Sequence, residues 1–109
     1  MVLLRPATTA DASDVAAIWY SGWRDGHLGG VPDELLAFRT PESFLRRAGD
    51  RVRDTTVATI DGSIVGFIMV ERDEVEQVYV AAEQRGRGVA QILLAAAESQ
   101  VRENGFEEA

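Results

Sequence analysis

The chain has 109 residues, with 18 acidic and 11 basic side chains, one His, no Cys and a formal net charge of −7. The length predicts a single domain over residues 1–109, and a composition of 46% hydrophobic and 27% charged residues is typical of a cytoplasmic globular protein. The absence of Cys and of long apolar runs excludes disulfides, thiolate zinc sites and membrane spans, and the negative charge disfavours nucleic acid as a partner.

The first predicted element is a short strand over Val2–Arg5, which is mostly apolar and is closed by Pro6. Thr8 or Thr9 can cap the helix that follows. Apolar residues at helical spacing extend this helix from about Asp11 to Arg24.

The next segment is predicted to be a loop over residues 25–32, which contains three glycines, followed by a shorter helical or irregular piece over residues 32–39. Thr40-Pro41-Glu42 then starts a second helix, because it combines a cap, a proline in the first turn and an acid. The apolar stripe of this helix consists of Phe44, Leu45 and Ala48.

Three strands are predicted in the second half of the chain. Thr55–Ile60 and Ile64–Glu71 are rich in β-branched residues, and Asp61-Gly62-Ser63 between them is a strong hairpin signal. A third strand from about Glu74 to Val80 follows a short polar turn. We expect the three strands to form an antiparallel meander.

A long helix is predicted from Gly88 to about Glu103, and Asn104-Gly105 ends it. Phe106 resembles the start of another strand, close to the last residue of the sequence. The elements predict an α/β fold with α+β layers, in which a central, mostly antiparallel sheet is flanked by helices. The fold is expected to be cut off after the long helix.

The turn before this helix has the sequence Gln84-Arg85-Gly86-Arg87-Gly88-Val89-Ala90. Its backbone N–H groups would converge at the positive end of the helix dipole, where glycines let an anion approach closely and arginines add charge. The turn therefore predicts a phosphate or pyrophosphate cradle. A P-loop needs a Lys, which the chain lacks, and the dinucleotide fingerprint G-x-G-x-x-G fails at Gln91. An ordinary glycine-rich connection is the structural alternative.

The segment from Val78 to Ala90 resembles the acetyl-CoA pyrophosphate loop of the GNAT acetyltransferase superfamily. That family's pattern, Gln/Arg-x-x-Gly-x-Gly/Ala, is met by Arg85, Gly88 and Ala90. The hairpin, the strand ending in Val-Tyr-Val and the Ala/Leu-rich helix give the pattern its specific context. The resemblance implies a GNAT-like acyl-CoA N-acyltransferase fold and an acetyl-CoA-dependent N-acetyltransferase.

The resemblance also implies that acetyl-CoA is the co-substrate, and with one His and no Cys we expect no metal. Main-chain groups of the loop would bind the pyrophosphate, and those of the preceding strand would bind the pantetheine arm. The residues concerned are Val78, Tyr79, Val80, Arg85, Gly86, Arg87, Gly88, Val89 and Ala90. Because the contacts are made by backbone, the side chains of the strand residues also fit simple core packing.

The reaction that the family implies is direct attack of a neutral amine on the thioester in a ternary complex. Glu74 and Glu76 lie on the strand where several members place a base for the amine. Strand alternation is expected to put both on one face together with Val78 and Val80. A solvated strand edge is the alternative interpretation, and of the two glutamates Glu74 matches the usual acidic position better.

Acceptor selection in the family falls to the first helix and the loop after it, which here contain Trp19, Trp23 and His27. The pattern Trp-x-x-x-Trp-Arg resembles a bacterial subgroup that includes polyamine acetylators. The tryptophans also fit core packing, and a lone His also fits an exposed loop. The expected partner is a small-molecule or peptide amine. A cationic amine suits the negative net charge. The chain could also form a homodimer.

Members of the family continue past the long helix with another strand, a helix whose tyrosine is the usual general acid, and a final hairpin. None of these elements is present in full before the last residue of the sequence, Ala109, so we expect the 109 residues to be an incomplete domain. A non-catalytic CoA-binding or protein-interaction module is therefore the alternative function for the chain as given. A nucleotide-binding domain that prefers NAD or ATP is a third hypothesis.

Overall fold

The computed structural model describes residues 1–27 and 40–105, without the side chain of His27. Its elements in chain order are β1 (Val2–Pro6), α1 (Ala12–His27), α2 (Pro41–Asp50), β2 (Thr55–Ile60), β3 (Ser63–Glu71), β4 (Glu74–Val80) and α3 (Val89–Glu103). The strands form an antiparallel sheet in the order β1-β2-β3-β4, which confirms the predicted fold class. Within the described residues, no helix is both long and apolar enough to span a bilayer.

The predicted piece over residues 32–39, most of the predicted loop and the strand start at Phe106 lie outside the described residues. The other element boundaries are close to those predicted, because local signals determine them. Asp61 and Gly62 both have positive φ, as a tight turn between β2 and β3 requires. The Thr40 hydroxyl accepts a hydrogen bond from the backbone N–H of Ser43 at 3.2 Å and caps α2.

The entry to α1 is fixed by the buried carboxylate of Asp11. It accepts two hydrogen bonds from the Arg5 guanidinium, at 2.7 and 3.0 Å, and two from the backbone N–H and hydroxyl of Thr8, at 2.7 and 3.1 Å. The hydrogen bonds from Arg5 hold the pKa of Asp11 well below its usual range. The start of the helix is therefore tied to β1 by side chains.

The end of α1 differs from the prediction. The helix was expected to end at Arg24, but it continues to His27, so Asp25 is helical rather than part of the loop. This last turn makes a tertiary contact, since the Asp25 carboxylate accepts a hydrogen bond from the Arg85 guanidinium at 2.9 Å. The loop was predicted to begin at Asp25 because residues 25–32 contain three glycines.

The sheet separates two cores of different character. On the side of α1 and α2, Trp19 packs edge-on against Phe44 and Phe67, with ring centroids 5.4 and 6.0 Å apart. On the side of α3, the core is aliphatic and consists of Ala58, Val65, Ile68, Val70, Val89, Leu93, Ala97 and Val101. Successive residues of β3 from Phe67 to Val70 thus face opposite cores, and α3 presents an i, i+4 stripe to its side.

A β-bulge in β4 overturns one prediction about the faces. Met69 of β3 pairs with Gln77, whereas Val70 pairs with Val75, so Glu76 is an extra residue in β4. Val75, Val78 and Val80 all pack on the α3 side. The expectation that Glu74 and Glu76 share a face with Val78 and Val80 is therefore wrong, because the bulge reverses the alternation between them.

Candidate functional site

The predicted cradle lies where β4 ends at Val80 and the chain turns towards α3. Gly88 is the N-cap of α3 with φ of 85°, and Gly86 has φ of 80°. Both glycines adopt the left-handed conformation that other residues rarely adopt, and both face open space, since an added Cβ would meet no atom within 4 Å. The glycines are thus required by the backbone shape of the turn.

The N-terminus of α3 faces this turn without a side-chain cap. The N–H groups of its first turn have no partner inside the helix, and the helix dipole adds partial positive charge there. A cavity of about 580 Å³ opens at the same place, and its lining includes Val80, Gln84, Arg85, Gly86, Gly88 and Ala90. Unpaired donors beside an open cavity fit an anionic group such as a pyrophosphate.

Arg85 and Arg87 were predicted to add charge to the cradle. In the structure the two side chains have different surroundings. Arg85 lines the cavity, and its guanidinium donates from Nη1 to Asp25 at 2.9 Å and from Nε to the Val80 carbonyl at 3.3 Å. Arg87 is exposed and forms no ion pair within the described residues. Arg85 is therefore held by α1 and β4, whereas Arg87 is free to turn.

The predicted pantetheine strand divides its side chains between the two cores. Val78 and Val80 pack on the α3 side. Tyr79 points to the α1 side and stacks on Phe67 with ring centroids 5.8 Å apart, and burial raises the pKa of its phenol against the opposing charge of Arg47. β4 is an edge strand of the described sheet, so one row of its backbone groups is available to a ligand.

The two predicted catalytic glutamates have different surroundings. The Glu76 carboxylate forms an ion pair with Arg51, which follows α2 and also binds Asp54 at 3.0 Å and approaches Glu71 at 3.8 Å. Glu74 is exposed and pairs with Glu71 across the sheet without an ion pair among the described side chains. Of the two predicted glutamates, therefore, only Glu76 is oriented by Arg51.

The predicted acceptor residues are packed into the core where the structure describes them. Trp19 is only 3% exposed, so its side chain is part of the core. Trp23 is half-buried and lies 5.8 Å from the Phe44 ring. His27 ends α1, and its side chain lies outside the described part of the chain.

Three residues around the site were not predicted from the sequence. Arg51 orients Glu76, Asp25 binds Arg85, and Gly22 lies against Tyr79. No local pattern could have found the first two, because 25 residues separate Arg51 from Glu76 and 60 separate Asp25 from Arg85. A glycine inside a strong helical pattern was the one available signal for Gly22.

A comparison with known families and structures agrees with this geometry. A family model described as Acetyltransferase (GNAT) family matches residues 14–109. PaiA N-acetyltransferase from Thermoplasma acidophilum, solved in complex with coenzyme A, has 18% sequence identity and a TM-score of 0.72, with 96% of this chain and 74% of that chain covered.

Two further structures are similar. A GCN5-related N-acetyltransferase from Rhodopseudomonas palustris has 25% identity and a TM-score of 0.74, and the match covers 95% of this chain and 68% of that one. The protein yncA from Salmonella typhimurium, solved with its cofactor acetyl-CoA, has 18% identity and a TM-score of 0.70, with coverage of 96% and 65%. No curated protein matches the sequence.

Proposed function

The chain belongs to the acetyltransferase (GNAT) family, and on that premise we propose that it binds acetyl-CoA at the turn between β4 and α3 and transfers the acetyl group to a primary amine. The observation that carries the proposal is the uncapped N-terminus of α3 beside the cavity at Gly86 and Gly88. This arrangement offers backbone donors to a diphosphate without a lysine or a metal.

The residues at the cradle fit the ligand on steric and electrostatic grounds. The space beside Gly86 and Gly88 is open where a Cβ would project, so a phosphate can approach the backbone. Arg85 lines the same cavity, and Arg87 adds a second positive charge two residues further along the turn. The open edge of β4 offers main-chain groups to an extended arm.

Bound acetyl-CoA would supply a thioester carbonyl, and the chain would prepare the amine that attacks it in a ternary complex. An ammonium must lose a proton before its nitrogen can form the new C–N bond. The C–S bond then breaks, and the proton that the nitrogen loses on becoming an amide ends on the sulfur, so that coenzyme A leaves as a thiol. We assign the proton acceptor to Glu76. Support comes from Arg51, which holds that carboxylate in one orientation at the bulge, whereas Glu74 is exposed and unheld.

A cationic acceptor fits the charge around this carboxylate. Glu71, Glu74 and Glu76 lie at one end of the β3–β4 pair, where Arg51 approaches Glu71 and Glu76 and Arg72 lies in the turn between the two strands. The net charge of −7 acts in the same direction, because it attracts cations over distances near the Debye length. We therefore propose a small or peptide amine that carries positive charge.

The first test is thermal unfolding of the 109-residue chain followed by far-ultraviolet circular dichroism. We propose that residues 1–109 behave as one domain, so one cooperative transition is expected. Acetyl-CoA at about a hundred times its Kd should stabilise the fold by roughly 2.7 kcal/mol, which raises Tm by several degrees. NAD and ATP at equal concentration are the controls.

The second test measures thiol release from acetyl-CoA with spermidine, benzylamine and glutamate as acceptors. The proposal predicts release with the cationic amines above the rate without acceptor.

A Tm that NAD or ATP raises as much as acetyl-CoA does would contradict the ligand assignment. A Tm that rises with acetyl-CoA alone, without any thiol release, would instead favour a non-catalytic CoA-binding module.

A further inference from the structure

The C-terminal half of α1 lies directly on the strand that leads into the cradle. A Cβ built on Gly22 would be 2.3 Å from Cδ1 and 2.8 Å from Cε1 of Tyr79, so only glycine permits this approach. The Tyr79 ring is also in contact with Phe67, on which it stacks with ring centroids 5.8 Å apart. The spacing between α1 and β4 is thus fixed by a backbone-to-ring contact.

A second contact lies three residues further along the same helix. Asp25 accepts a hydrogen bond from Nη1 of Arg85 at 2.9 Å, and Nε of the same guanidinium donates to the Val80 carbonyl at 3.3 Å. Residues three apart lie on one helix face, so Gly22 and Asp25 both face β4 and its loop. Arg85 is in turn part of the cavity lining at the cradle.

We propose that this part of α1 positions the acetyl-CoA loop: Asp25 holds the Arg85 guanidinium at the mouth of the cavity, and Gly22 brings the helix close enough for it to do so. The inference rests on the proposed function and adds two positioning residues to it. Neither residue needs to touch the ligand, since each acts through a neighbour that borders the site.

The physical effect expected of Asp25 is pre-organisation. A free arginine side chain loses rotamer freedom when a ligand immobilises it, and this loss weakens binding. An arginine that is already held by a carboxylate and a carbonyl has less freedom to lose. Charge repulsion between Asp25 and a diphosphate would act in the opposite direction. The two effects therefore predict opposite changes in Kd when Asp25 is replaced by a neutral residue.

The experiment is calorimetric titration of coenzyme A into the 109-residue chain and its variants, with Tm recorded for each. Asp25→Ala should raise the Kd for coenzyme A by about two- to fivefold, the range of an exposed ion pair. Asp50→Ala changes the net charge equally at an exposed helical position without a described ion pair, and should leave Kd unchanged. In an Arg85→Gln background, Asp25→Ala should have no further effect.

Gly22 is tested with a matched glycine. Gly22→Ala must displace the Tyr79 ring and should lower Tm by roughly 5–10 °C and weaken coenzyme A about two- to fivefold. Gly49→Ala in α2 meets no atom within 4 Å and should leave the Kd unchanged. A Tyr79→Leu background provides the space, so Gly22→Ala should no longer change Kd there.

Each result decides between separate claims. A Kd for Asp25→Ala that is unchanged or tighter, with normal binding by the wild-type chain, overturns the positioning role and leaves the proposed function standing. A Gly22→Ala variant with lower Tm but wild-type Kd shows packing alone and overturns that half of the inference. A wild-type chain that binds no coenzyme A overturns the proposed function, and the positioning role falls with it.

Discussion

The two ends of β4 present two kinds of site. At the end that leads into α3, the anion-binding features come from the backbone: two left-handed glycines and an uncapped helix N-terminus. At the other end, the candidate chemistry depends on the Glu76 side chain. A bulge in β4 and an ion pair with the distant Arg51 determine the orientation of this side chain. The first end is defined within a few residues of sequence, whereas the second is defined by elements far apart in the chain.

This difference explains which features of the site tolerate change. A backbone donor survives most substitutions as long as the local conformation is kept, so few residues at the cradle are sensitive. A side chain aimed by tertiary contacts is lost when either the residue or its support is altered. Substitutions at the two ends of β4 should therefore separate acetyl-CoA binding from the transfer step.

The largest effect is expected at the carboxylate end. Glu76→Gln removes the proposed proton acceptor with little change in shape, and should lower kcat for acetyl transfer by about a hundredfold or more. Its Kd for acetyl-CoA should remain that of the wild type. Glu74→Gln, two residues away, is the matched control and should change kcat less than about twofold, because no described contact orients that side chain.

Steady-state rates with saturating acetyl-CoA and the best amine acceptor provide the measurement. If Glu74→Gln shows the large loss and Glu76→Gln does not, the assignment of the proton acceptor is reversed. If both variants retain activity, the two ends of β4 do not divide the work as proposed.

The next largest effect is expected at the cradle. Gly88→Ala forces a Cβ into the left-handed conformation at the N-cap of α3, and the N–H groups behind it should lose their alignment. We expect the Kd for acetyl-CoA to rise about ten- to a hundredfold, the effect of losing one or two hydrogen bonds to a charged group.

Gly62→Ala is the control for backbone strain. Gly62 has φ of 84°, nearly the same as Gly88, but it lies in the β2–β3 turn. Both variants should lose about 1–2 kcal/mol of stability in urea unfolding, and only the one at Gly88 should lose affinity. Equal losses of affinity in both would contradict a cradle at α3.

The smallest effect on the site is expected from Asp11, whose carboxylate binds Arg5 and Thr8 at the start of α1. Asp11→Asn should reduce the free energy of unfolding by about 1 kcal/mol at neutral pH without changing either end of β4. Because the pKa of Asp11 is lowered in the folded state, its contribution is complete above the unfolded pKa of about 3.9 and is lost as the pH falls below that value.

Urea unfolding at pH 7 and in steps down to pH 3 measures this contribution. The wild-type chain should lose more stability than Asp11→Asn over the acidic part of that range, with Asp50→Asn as the control at an exposed site. Parallel curves would contradict the role of the Arg5–Asp11 pair. The result also sets the lowest pH at which the Glu76 and Glu74 variants can be compared in folded protein.

The sequence predicted the parts of the fold that depend on neighbouring residues. The turn at Asp61-Gly62 and the cap at Thr40 are examples, since each acts over three or four positions. The bulge at Glu76 could not be predicted, because it arises from the register between β3 and β4. The ion pair of Arg85 with Asp25 and the end of α1 at His27 were not predicted either. The two partners of that pair are 60 residues apart, so no local pattern relates them.

The distribution of aromatic residues across the sheet has an optical consequence. Both tryptophans and both tyrosines of the chain contribute to the core on the α1 and α2 side, and the core on the α3 side contains none. Intrinsic fluorescence and near-ultraviolet dichroism therefore report on one layer of the molecule, and the layer built on α3 is spectroscopically silent. A ligand at the cradle would change the emission only through Tyr79 and α1, which gives the contact between them a built-in reporter.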